Sequence, residues 1–142
     1  MNLELEREAL EGQKYIDAKI EECVSQRNFN EALEYASSGE RSHMLRRWWE
    51  GGLLIPHDLP KLLSLAWPMM DFPSRSGIRW WVGAFRAAGF VSDDESTRRP
   101  ESPLTVYRGC SPEFRFSLAW TTSLKQAEWF ANEYYPGRVK IS

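Results

Sequence analysis

From residue 3 to residue 26, apolar and small residues return every three or four positions: Leu5, Ala9, Gly12, Ile16, Ile20 and Cys23. That spacing predicts a long helix with one narrow apolar stripe. Gly12 lies within it and costs about 1 kcal/mol relative to alanine. Asn28 followed by Glu31 matches a capping box, so a second helix is expected to start near Phe29. Ser37-Ser38-Gly39 is expected to end it, leaving a helical hairpin. A third helix is predicted over Glu40–Glu50, with Met44, Leu45, Trp48 and Trp49 on its buried side and Gly51-Gly52 as its stop. Asp58 is the expected N-cap of a fourth helix carrying Leu59, Leu62, Leu63 and Trp67, with Pro60 in its first turn. Pro68 and Pro73 bracket a turn. Ser74 is expected to cap a fifth helix whose stripe is Ile78, Trp81, Val82, Phe85 and Ala88, closed by Gly89.

The pattern then changes. Residues 92–103 are charged, hold two prolines and lack apolar positions, as an exposed connector would. Leu104-Thr105-Val106-Tyr107 is β-branched and aromatic and predicts a strand, and Phe116–Thr122 predicts a second. Gly109 between them marks a turn or a place where something approaches the backbone. Leu124–Tyr134 has helical spacing, with Ala127, Phe130 and Ala131 on one face; Pro136-Gly137 breaks it. Arg138–Ile141 alternates like a third strand. The expected fold class is therefore α+β: a helical N-terminal two-thirds followed by a small, incomplete sheet. Its expected parts are a helical hairpin appendage over 1–39, a helical subdomain over 40–91, the connector over 92–103 and a strand–strand–helix–strand segment over 104–142.

Composition refines this picture. The chain has 142 residues and 42% hydrophobic content, enough for one domain with a real core. Net charge is −2, so no general affinity for nucleic acid follows. The charge is uneven, since residues 1–39 hold nine acids against four bases. A solvated acidic helix explains this; docking of that helix on a basic surface is the sharper reading. Cys23 and Cys110 lack metal or redox spacing, which predicts a reduced, cytoplasmic protein. No apolar run nears the roughly 18 residues that cross a bilayer, the acidic N-terminus is no secretory signal, and His43 and His57 stand in unrelated contexts, so neither membrane nor metal is expected. Arg46-Arg47 beside Trp48-Trp49, and Arg79 beside Trp80-Trp81, interleave charge with aromatics as single-strand binders do. Those tryptophans fall on helix stripes, however, where packing is their ordinary role.

The candidate chemistry lies late in the chain. Arg108 follows a predicted strand, and its planar fork suits bidentate phosphate contact; pairing with a carboxylate is its plain structural alternative. Thr121, Thr122 and Ser123 carry small hydroxyls, and Ser123 is also placed to cap the helix starting at Leu124. Trp120 can stack on a planar ring or pack in a core. Taken together, Leu104-Thr105-Val106-Tyr107-Arg108-Gly109, Ala119-Trp120-Thr121-Thr122-Ser123 and Ala127-Glu128-Trp129-Phe130-Ala131 resemble the first two-thirds of the arginine-serine-glutamate signature of ADP-ribosyltransferases. The resemblance implies NAD as substrate, with Arg108 and Ser123 as catalytic positions. It implies that Tyr107, Arg108, Gly109, Trp120, Thr121, Thr122 and Phe130 line its site. It also implies an ADP-ribosyltransferase-like sheet.

In that family a glutamate stabilises the oxocarbenium-like transition state. No residue after Ile141 supplies one here, so weak or no transferase activity is expected. From about Leu45 to Ile141 the chain also resembles a group of uncharacterised actinobacterial and actinophage proteins. The shared pieces are Arg46-Arg47-Trp48-Trp49, the Trp67–Pro73 segment, Phe85–Phe90 and the two blocks just named. Two other readings compete. One is a phage-encoded interaction module that inhibits a host or defence protein, with tryptophan and arginine as interface anchors. The other, less favoured, is a single-stranded nucleic-acid binder.

Overall fold

The structure, a computed structural model, describes residues 2–67, 77–92, 95–110, 118–134 and 140–141. The chain divides into two compact units, Met1–Arg98 and Arg99–Ser142. The division falls within the 92–103 stretch, and the first unit joins residues 1–39 to the helices that follow.

In the first unit, helix α1 runs over Leu3–Ser25. The Asn2 side chain accepts from the Glu4 amide at 3.2 Å, and Glu4 and Glu6 complement the positive end of the helix. Its C-terminal end turns through Arg27, which takes φ 59°, a left-handed position that glycine usually fills. The Asn28 amide then reaches back to the Cys23 carbonyl at 2.8 Å.

Helix α2, Phe29–Tyr35, starts where expected but is secured differently. The Asn28 side-chain amide donates to the Glu31 carboxylate, so the two side chains bind each other and make no capping box. Helix α3 spans Ser38–Glu50. Ser37-Ser38-Gly39, expected as a stop, is a start: the Glu40 carboxylate accepts from the Ser37 amide at 3.3 Å and its hydroxyl at 2.8 Å. A 3-10 turn over Pro56–Asp58 leads into α4, Leu59–Ala66. Asp58 does not cap α4. Its carboxylate instead accepts from the Ile55 amide at 2.9 Å and from Arg27 at 3.2 Å. Helix α5, Ile78–Ala88, ends at Gly89 with φ 75°. The Pro68–Pro73 turn and the Ser74 cap lie outside the described residues.

Leu33, Leu45, Leu59, Leu62 and Trp81 are fully buried at the centre of this unit. Phe29 packs on Trp48 at 5.3 Å, and Trp67 meets Trp81 edge-on at 5.0 Å. Helix α2 belongs to this core: Ala32 and Leu33 are sealed, and α2 packs on α3 and α4 as well as α1. Residues 1–39 are therefore no separate appendage, because only burial against α3 and α4 gives Phe29 and Leu33 an apolar surround. Trp48, Trp80 and Trp81 are also spent in packing, where no base can stack on them. Strands β1, Val91–Ser92, and β2, Glu95–Ser96, pair antiparallel, so the expected connector carries a small ladder.

In the second unit, β3, Gly109–Cys110, pairs antiparallel with β4, Lys140–Ile141. Helix α6 covers Leu124–Trp129 and widens into a π turn over Phe130–Tyr134. The strand expected over 104–107 is reduced to one bridge at Tyr107, which pairs with Thr121. Leu104 and Val106 are exposed, so burial does not hold this stretch extended. Of the strand expected over 116–122, the bridge at Thr121 is the part seen among the described residues; Phe116 lies outside them, as do Pro136-Gly137 and Arg138-Val139. The α+β class holds, with helices first and short strands after.

Candidate functional site

Two backbone bonds organise the region singled out in the sequence. The Tyr107 amide donates to the Thr121 carbonyl at 2.7 Å, and the Thr121 amide returns the bond at 2.9 Å. This reciprocal pair sets Arg108 beside the Ala119-Trp120 backbone. Arg108 is half-buried, and its Nη1 donates to the Ala119 carbonyl. A guanidinium carries its donors in a rigid fork, so this bond fixes its direction. Trp120, next in the chain, is 43% exposed. The bridge thus sets the Tyr107-Arg108 segment beside the Trp120-Thr121 segment.

The remaining expected residues are placed differently. The Ser123 hydroxyl accepts from the Gln126 amide at 3.2 Å, which makes it the N-cap of α6. The Thr121 Oγ1 accepts from the Ser123 amide at 3.1 Å and ties cap to bridge. Thr122 is exposed. Gly109 lies against the end of α6: a Cβ there would overlap the Ala127 carbonyl oxygen and stand 2.8 Å from the Ala131 nitrogen. What approaches the Gly109 backbone is therefore the protein's own helix. Phe130 is half-buried beside it, edge-on to Trp129 at 4.9 Å. A cationic fork, an indole and threonine hydroxyls on adjoining segments suit an anionic ligand with a planar ring.

A second place escaped the sequence reading. A hollow of about 400 Å³ in the first unit is lined in part by Arg27, Phe29, His57, Asp58, Lys61 and Glu95. Arg27 spans one side: it donates to the Leu53 carbonyl at 3.0 Å, pairs with Asp58 at 3.2 Å and lies 5.2 Å from the Phe29 ring centre. The usable signal was an arginine directly after a long helix, where glycine or asparagine normally takes the left-handed turn. Its charges are mixed in sign, and the ion pair it holds braces α1 against the start of α4.

Among the described residues, no group of three or more His, Cys, Asp and Glu side chains is placed to hold a metal ion. No described helix is long and apolar enough to cross a membrane. No protein-family profile, no curated protein and no solved structure matches the chain.

Proposed function

We propose that residues 104–142 are an ADP-ribosyltransferase-like segment that binds NAD. The carrying observation is the reciprocal Tyr107–Thr121 bond pair, which brings the Arg108 segment and the Trp120-Thr121-Thr122 segment side by side. In this reading Arg108 contacts the pyrophosphate, Trp120 stacks on the nicotinamide and Thr122 offers a hydroxyl to the ribose. Ser123 and Gly109 act by position: one caps α6, the other lets α6 close on β3. Free, buried Cys23 and Cys110 support a reducing, cytoplasmic compartment.

The test is a thermal-shift titration with NAD beside Arg108→Ala and Arg108→Lys, followed by assay of nicotinamide release from labelled NAD. At a ligand concentration of about 100 times Kd, binding stabilises the native state by about 2.7 kcal/mol. The wild type should shift, Arg108→Ala should not, and Arg108→Lys should retain a fraction, because lysine keeps the charge without the fork. No shift in the wild type at millimolar NAD overturns the reading.

A further inference from the structure

Helix α1 is more than three times as long as the element that covers it. Its 23 residues extend about 35 Å, whereas the seven of α2 extend about 10 Å. One apolar stripe runs along α1 through Leu5, Ala9, Gly12, Ile16, Ile20 and Cys23. Its C-terminal part is in use: Cys23 is buried, and Ile16 and Ile20 are half-buried. The same stripe continues bare towards the N-terminus. Leu5 is 61% exposed, Ala9 and Gly12 are exposed, and nothing lies within 4 Å of a Cβ built on Gly12.

Carboxylates border the bare half of the stripe. At about 100° per residue, Glu4 and Glu8 fall along one edge of the stripe and Glu6 along the other, while Glu11 turns away towards the far side. Arg7 and Lys14 fall on the opposite side of the helix. Lys19, nearer the stripe, stands beyond the bare half and is paired with Glu22 at 3.1 Å. A second copy of this helix would set glutamate against glutamate. An apolar ridge flanked by lysine or arginine would meet both the stripe and its edges, and the small Ala9 and Gly12 leave room for close approach.

We propose that the N-terminal half of α1 is a docking face for a basic amphipathic helix of a partner protein. The apolar face of the partner packs on Leu5, Ala9 and Gly12, while its flanking cations pair with Glu4, Glu6 and Glu8.

The full chain is titrated by fluorescence anisotropy with a labelled helical peptide of about 18 residues. Leucines occupy its i, i+3, i+4 and i+7 positions, and lysine and arginine flank them. A scrambled peptide of equal composition is the control. The amphipathic peptide should bind at least tenfold tighter than the scrambled one. Leu5→Glu, and separately the double change Glu6→Lys, Glu8→Lys, should each weaken it tenfold or more. Circular dichroism should show that α1 persists, since every altered side chain is exposed and Glu4 stays at the helix start. Equal affinity for both peptides would reveal a bare polyanion and overturn the proposal. So would absence of binding at about 0.5 mM, or a concentration-dependent dimer in sedimentation that Leu5→Glu abolishes, which would make a second copy the occupant.

Discussion

Replacing Gly109 with alanine adds one methyl group where the second unit has no room for it. The new carbon would overlap the Ala127 carbonyl oxygen, stand 2.8 Å from the Ala131 nitrogen and 3.0 Å from the Phe130 Cβ. Two of these three neighbours are backbone atoms of α6 and its π turn, so no side-chain rotation relieves the clash. Strand β3 must instead retreat by about 1 Å, which strains its pairing with β4 and the Tyr107–Thr121 bridge nearby. Overpacking of this kind costs about 1–3 kcal/mol, and a backbone obstacle argues for the upper half of that range. A unit the size of residues 99–142 has roughly 2–6 kcal/mol of stability in all, so Gly109→Ala removes much of it. Native-state hydrogen exchange at the Tyr107 and Thr121 amides reads this out without interference from the first unit. Protection there should fall about 30- to 150-fold, the equivalent of about 2–3 kcal/mol. Gly12→Ala is the matched control: the same methyl meets open space in a helix and should stabilise the first unit by up to about 1 kcal/mol. Retention of protection in Gly109→Ala within about threefold would refute the close packing of β3 on α6.

Arg27 offers a test of ordering. Arg27→Ala loses the bonds to Leu53 and Asp58 and keeps the left-handed strain, whereas Arg27→Gly loses the same bonds and relieves it. Arg27→Ala should therefore be the less stable by about 1 kcal/mol in urea titrations followed by tryptophan fluorescence; equal midpoints would contradict the turn geometry. Burial pushes the Cys23 thiol up, with the Glu31 and Glu22 carboxylates adding to the shift. The native state thus favours the protonated thiol. Its contribution to stability is complete below the ordinary thiol pKa and is lost as pH rises through the raised native value. Alkylation of Cys23 by iodoacetamide at mildly alkaline pH should be at least about tenfold slower in the folded chain than in urea; equal rates would mean the thiol is neither buried nor shifted.

The helices were legible because each turn repeats the same spacing. The buried face was less so: on α5 Trp80, Trp81 and Ala84 are buried, whereas Ile78, expected on the stripe, is exposed. Caps were less legible. Asn28, Ser37 and Asp58 all carry side chains suited to helix starts, yet Asp58 was claimed by Arg27, some thirty residues earlier, and by the Ile55 amide. No local rule reports a competitor that distant. For the candidate site, Ser123 as a cap and the adjacency of Arg108 to the Trp120 segment followed from motif order. The fate of Gly109 did not, since only packing reveals that the approaching group is α6.

Sequence alone thus determined what depends on neighbours along the chain: six helical segments, the glycine that closes α5 and the acidic character of α1. The tertiary structure decided what depends on partners distant in sequence. It made α2 part of the core, shortened the strand at Leu104–Tyr107 to a single bridge, and left half of the α1 stripe bare. The physical reason is that periodicity marks a face as fit for burial, whereas burial itself requires a second surface of matching length, and α2 is too short to supply one.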